Sequence, residues 1–490
     1  MKDFISYIKN FSTREFINFF SEISIELYKK QQAKSEGELM CNMTFPLDIL
    51  KYGFVHKQVQ VMLSAWDIPE MAYVSITNAN DYGKEVMTRE KVGIVVNLYR
   101  GYENECTKKG YSNGEMAPDI WKLMTGMTYE QFRYQNLAWT YQSFNRNYHI
   151  LVGAEKICRD KIIDINRVTQ ELFGMNTDEY LACIMYLLLL CSVSPKPLEI
   201  ETNAYKGKIS NVVSRENLKK IINYYSITYD AVRKSLIQKQ IFYSKPFVIA
   251  EKKEEPIMVS IYLMQMLLAE GLYWLIRDYY FNNNLGIGFI NEFGTMFEVY
   301  FEELAEFYLT EGMWHKIPEQ ESKSADFFVE FENVVFLFEL KSGLLGIMAK
   351  QQVPDIQQID TFYKRNILEA YEQLKQSEEE YQGRKPIIKV FLLYETMMNT
   401  QVMMTSIPEV FVDNSLYYIM TVDDLERLLA TYKYERDKFS IIVNTLITNQ
   451  NGTGHTTSVL HVLNDCNAVN HEYFVGERDY FLKIAQLIEP

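Results

Sequence analysis

Apolar residues recur along the chain in two different rhythms. Up to about residue 285 the spacing is helical: Phe16, Phe19, Phe20, Ile23 and Leu27 share one face, behind the capping box Ser12-Thr13-Arg14-Glu15. The same spacing predicts helices over Asp48–Ser64, Arg89–Tyr102, Tyr129–Phe144, Thr177–Cys191 and Ile257–Tyr280, with a break at Ser192–Pro197 that subdivides the region near 195. Arg215–Leu236 reads as two short amphipathic helices about a polar cap at Ser226 or Thr228. That is the outline of a helix-turn-helix with Arg233 and Lys234 exposed, although such pairs are ordinary packing units in any helical region. Past the Gly/Asn-rich break at Asn282–Gly288 the pattern becomes mixed. It gives a helix over Asn291–Gly312, a short strand at Trp314–Ile317, a hairpin, a helical stretch from Asp355 to Glu380, a buried strand over Pro386–Tyr394 and a last strand at Leu416–Met420. That strand feeds a helix capped by Thr421 and Asp424. Two further helices are expected at Glu435–Thr448 and Glu477–Leu487.

The hairpin, Ser324–Gly343, is the most informative stretch. Val334–Leu340 is apolar on both faces of the pleat except at Glu339, the signature of a central strand covered on both sides. A two-residue turn at Glu332-Asn333 pairs Phe331 with Val334 and, counting outward, Asp326 with Glu339. Directly opposed side chains lie roughly 4.5–5.5 Å apart at Cβ, and like charges there repel. Lys341 follows Glu339 by two and shares its face. Two carboxylates forced together beside a lysine offer a seat for a divalent cation.

A chain of 490 residues is expected to form more than one domain, and its composition is that of an ordinary globular protein. The net charge of −14 argues against sequence-independent coating of a polyanion, while leaving room for a local basic surface. The six cysteines are scattered without a Cys-x-x-Cys pair, so a zinc site or a disulfide framework is not expected, and reduced thiols in the cytoplasm are. The N-terminus lacks the features of a signal peptide. The most apolar run, Tyr180–Cys191, is too short for a membrane span, so no membrane partner is expected.

The order helix, three strands, helix, strand around Asp326 and Glu339-Leu340-Lys341 resembles the PD-(D/E)xK nuclease superfamily over roughly residues 286–430. Gly294-Thr-Met-Phe-Glu298 on the preceding helix is similar to the acidic helix position of many members, and Gln373 to a glutamine found in some branches; the proline before the aspartate is here Ala325. The helical spacing predicts a large N-terminal all-helical region, and the resemblance implies that a restriction-endonuclease-like αβββαβ domain with a mixed sheet follows it. The expected division is 1–285 as a helical accessory or sensor region, 286–432 as the nuclease-like domain and 433–490 as a helical C-terminal extension. It also implies that Asp326, Glu339 and the Leu340 carbonyl hold Mg²⁺ or Mn²⁺. Lys341 would orient or deprotonate the attacking water, Glu298 would join catalysis or the cation, and Gln373 and Ser324 would support them. Lys350, Lys364, Arg365, Lys375, Arg384, Lys385 and Lys389 are the candidate phosphate-tracking cations.

The expected function is metal-dependent phosphodiester hydrolysis, with DNA favoured over RNA on the resemblance alone. Cleaving both strands of a duplex takes two sites, which suits a homo-oligomer, and the helical region is where a protein partner or trigger would act. A large helical module on an acidic nuclease suits regulated cleavage, as in prokaryotic defence against phage or plasmids. The alternative is a silent PD-(D/E)xK scaffold that binds nucleic acid or protein.

Overall fold

Residues 2–32, 43–46, 58–61, 63–111, 120–135, 139–154, 163–204, 212–250, 255–318, 324–350, 354–396, 398–412, 415–448 and 457–488 are described by a computed structural model of the chain. The N-terminal region is mainly helical, with departures where strands are very short. β1 (Met43–Pro46) and β2 (Gln58–Val61) pair antiparallel. Part of the expected helix Asp48–Ser64 is therefore a strand, and most of the rest of it lies outside the described residues. Helices α1 (Ile120–Gln135) and α2 (Trp139–Tyr148) occupy the range expected to hold one helix, whose break also falls outside the described residues. Then β3 (Ser226–Thr228), β4 (Phe247–Ile249) and β5 (Ile257–Met258) form a three-stranded sheet. The region is thus not all-helical.

This small sheet places a strand between the two helices of the expected helix-turn-helix. β3 separates the helices Arg215–Tyr224 and Tyr229–Lys234 and pairs parallel with β4. Arg233 and Lys234 are exposed, as expected, and Arg233 Nε donates to the Ile76 carbonyl at 2.9 Å and its Nη1 to Asp230 at 3.0 Å. The long apolar helix starts later than expected, as α3 (Ile261–Asn282), because Ile257–Met258 belongs to β5.

After α3 comes α4 (Gly286–Tyr308), then β6 (Trp314–Lys316), β7 (Phe327–Glu330), β8 (Val335–Lys341), α5 (Ile356–Tyr363), α6 (Glu369–Glu380), β9 (Ile387–Leu393), β10 (Tyr417–Thr421) and α7 (Val422–Tyr434). The five strands make one mixed sheet in the order β10-β9-β8-β7-β6, with β8, β9 and β10 parallel and β6, β7 and β8 antiparallel. Side-chain alternation gives the sheet two coats. On one face α4 lays Phe301 against Phe327 and Phe338, ring centroids 4.3 and 5.2 Å apart. On the other lies α6, whose Ser377 Oγ accepts from the Ala325 N–H at 2.8 Å and whose Glu378 pairs with Lys389 of β9 at 2.6 Å.

The boundary near residue 286 marks a change of pattern within a single packed core. Tyr273 of α3 packs on Phe293 of α4 with centroids 4.8 Å apart, and Trp139 Nε1 of α2 donates to Thr396 Oγ1 at 3.2 Å just past β9. The residues after 433 wedge between the two regions: His149 Nδ1, following α2, meets the Tyr480 hydroxyl at 2.9 Å, and its Nε2 meets Glu303 of α4 at 2.5 Å. Among the described residues no helix is long and apolar enough to cross a membrane.

The turn from β10 into α7 is a full capping box. Thr421 Oγ1 accepts from the Asp424 N–H at 3.3 Å, and the Asp424 carboxylate accepts from the Thr421 N–H at 2.9 Å. Both residues are buried, so water cannot replace the lost bonds. Thr421→Ala is expected to cost about 1–2 kcal/mol in urea unfolding, the upper part of the usual cap range.

Candidate active site

The register at the heart of the site is the one that a two-residue turn dictates. Phe331 N–H donates to the Val334 carbonyl at 2.9 Å, Phe327 faces Phe338, and the Asp326 N–H donates to the Phe338 carbonyl at 2.9 Å. Asp326, the residue before β7, therefore lies at the Glu339 end of β8, close enough that its charge raises the Glu339 pKa. Its carboxylate swings into the plane of the sheet and accepts the Leu340 N–H at 2.6 Å, replacing a strand partner that β7 no longer provides. In an extended strand a residue's N–H and C=O point the same way, so the Leu340 carbonyl faces the same opening as Asp326.

Glu339 is 2% exposed; Lys341 Nζ donates to its Oε1 at 2.7 Å, while its Oε2 has no hydrogen-bond partner among the described residues. Gln373 of α6 stands close by and favours the charged carboxylate, but its amide donates to the Ser324 carbonyl at 3.2 Å. Burial pushes the Glu339 pKa up to about 8, helped by the facing Asp326 and opposed by Lys341. Burial likewise pushes Asp326 up to about 6, against the pull of the Leu340 N–H and with the further push of Glu298. Both carboxyls resist ionisation although Lys341 lowers the pKa of each, and one has an orphaned oxygen, so a further positive charge would favour their ionised forms.

A divalent cation fits that need. Among the described residues no three carboxylate, imidazole or thiol side chains gather closely enough to hold an ion. A cation here would draw on Asp326, Glu339, the Leu340 carbonyl and water, in keeping with Mg²⁺, which is commonly held through one or two carboxylates and keeps several waters.

Glu298 is the expected residue that the fold does not deliver directly. α4 coats the face of the sheet away from Glu339, and Glu298 is held by Lys316 of β6 at 2.6 Å. Its turn of α4 still passes the mouth of the site: a Cβ built on Gly294, one turn earlier, would lie 3.6 Å from Ser342 Oγ. Lys316 gave no signal in the sequence, because its partner is on another element and a lysine on an edge strand is unremarkable.

The loop after Lys341 is pinned from below. Glu395, directly after β9, accepts from the Leu345 N–H at 2.9 Å and pairs with Lys350 at 3.0 Å, both side chains buried. Lys350 is therefore an internal strut rather than a phosphate contact. Lys389 is buried against Glu378 and the Tyr417 ring. Lys385 binds Glu330 at 2.8 Å and the Phe331 carbonyl at 2.7 Å at the opposite end of β8, about 20 Å from Lys341 at the usual rise per residue. Arg384 is exposed beside it, so neither belongs to the mouth of the site. Lys364, Arg365 and Lys375 are exposed on the α5–α6 layer that covers the Glu339 face. The first two sit on a π-helical turn, Lys364–Leu368, whose Asn366 lies against Gly343; a Cβ on that glycine would be 2.8 Å from Asn366 Oδ1.

The raised Glu339 pKa gives a testable pH dependence. A carboxyl with a folded pKa above its unfolded value stabilises the fold fully below the latter, 4.5, and that contribution is lost as pH climbs through the former, about 8. Metal-free protein is expected to lose on the order of 4 kcal/mol of stability between pH 5 and 9. Glu339→Gln should flatten that loss and unfold later than wild type at pH 9. Denaturant melts across this range, repeated with Mg²⁺ to restore the wild type, check it.

Comparisons of the chain with protein-family models, with curated proteins and with solved structures return no match.

Proposed function

We propose that the chain is a metal-dependent nuclease of the PD-(D/E)xK kind that hydrolyses phosphodiester bonds, in DNA rather than RNA. Its helical region would restrain or target the cut, as suits defence against phage or plasmids. One observation carries this reading: Asp326 lies close to Glu339, whose buried Oε2 has no hydrogen-bond partner among the described residues and whose Oε1 is held by Lys341. Mg²⁺ held there would supply Lewis acidity to a phosphate oxygen and lower the pKa of bound water. Lys341 is partly exposed, so its ammonium can orient the attacking water and offset charge developing on the phosphate. Gln373 and Ser377 together fix the Ser324–Ala325 peptide, next to Asp326, and so hold that residue in place. Lys364, Arg365 and Lys375 would meet flanking phosphates without reading sequence.

The alternative, a silent scaffold, draws support from the two-carboxylate site and from Glu298 being tied to Lys316. It predicts nucleic-acid or protein binding without bond cleavage. Purified chain incubated with linear and circular duplex DNA, single strands and RNA, in Mg²⁺ or Mn²⁺ and in EDTA, separates the two. The nuclease reading expects products from at least one substrate with metal and none with EDTA; intact substrates throughout would favour the scaffold.

A further inference from the structure

Lys316 occupies an unusual place. It lies on the edge strand β6, 2.6 Å from Glu298, and it feels the charges of Glu302 and Asp326 as well. Glu298 and Glu302 are one turn apart on α4 and present their carboxylates to the same side. The Lys316 ammonium therefore binds the acidic face of α4 and, together with Lys341, acts on Asp326. Two-metal hydrolytic sites put their ions roughly 3.5–4 Å apart and need a further carboxylate to hold the second ion. Glu298 is the α4 carboxylate whose charge reaches Asp326, and Lys316 already binds it. Among the described residues no third metal-binding side chain joins Asp326 and Glu339.

We propose that Lys316 takes the place of a second cation, so that the site holds one divalent ion per chain. Lys316 is then a positioning residue: it withdraws Glu298 from the ion and keeps positive charge on the α4 side of Asp326. This inference rests on the nuclease reading for the identity of the site. Its substance, the number of ions and the residue that sets it, is separate from whether bonds are cut.

The test counts bound Mn²⁺ on the full chain, by calorimetry and by the loss of the free-ion paramagnetic signal, with no nucleic acid present. Wild type should take up one Mn²⁺, and Asp326→Asn should lose it. Lys316→Met should take up two, because Glu298 is released toward Asp326; Lys316→Met with Glu298→Gln should return to one, as should Lys316→Arg, which keeps the charge. Lys316 has a 45% exposed side chain on an edge strand, so these variants are expected to fold, and melting curves confirm it. Two Mn²⁺ on wild type, or one on Lys316→Met, would overturn the role of Lys316 while leaving the proposed function standing. No Mn²⁺ on wild type would overturn both.

Discussion

Lys341→Met is expected to slow phosphodiester hydrolysis by roughly 10²–10⁴-fold, the usual worth of a positioned acid–base group, while leaving the fold intact. Among the described residues Lys341 binds only its neighbour on the same face, Glu339, at 2.7 Å. Its ammonium also lowers the Glu339 pKa, which burial and Asp326 raise. Without it that carboxyl gives up its proton at higher pH, so the acid limb of the pH–rate profile should move upward as well as the rate falling. Single-turnover rates at saturating Mg²⁺ across pH 6–9 would show both effects. A variant slowed only through weaker cation binding would recover at higher metal concentration, which this account does not expect.

Arg146→Met is expected to destabilise the protein by about 3–5 kcal/mol, because it strands buried carboxylates. Arg146 Nε and Nη2 donate to the two oxygens of Glu426 at 2.6 and 2.8 Å, and Nη2 also bonds Asp423. Glu426 is fully buried, accepts the Tyr300 hydroxyl at 2.6 Å and meets His471 at 3.0 Å. Burial pushes its pKa up, yet Arg146 and His471 hold it well below the usual carboxylate range. The cluster ties α2 to α4, to α7 and to the residues after 433. Adding Glu426→Gln to Arg146→Met should recover a large part of the loss, since the stranded charge goes too. Guanidinium unfolding of the single and double variants measures that coupling.

What the sequence disclosed follows from the reach of each interaction. The approach of Asp326 to Glu339 was legible because a two-residue turn fixes the pairs outward from it, as far as Phe327 and Phe338, and the strands were legible as unbroken apolar runs. The Thr421 cap was legible because its partner is three residues away. The three-stranded sheet was not, since strands of two or three residues are too short to show alternation, and Ile257–Met258 merged with the helix after it. Lys350 and Lys389 looked like surface cations because their counter-charges lie elsewhere in the chain, at Glu395 and Glu378. Glu395 did carry a hint of the kind that singled out Glu339, a carboxylate at the end of a buried strand. Arg146 and His149 draw on residues far away in sequence, and no local pattern announces them.

The measurement closest to the centre of the account is the initial rate of DNA cleavage by wild type and by Asp326→Ala, in Mg²⁺ and with EDTA as the blank. The account predicts cleavage by wild type that EDTA abolishes. It predicts a rate at least about 10³-fold lower for Asp326→Ala, comparable to losing one preorganised charge-stabilising group, with the variant still folded and still binding DNA. Equal rates for the two proteins would contradict it.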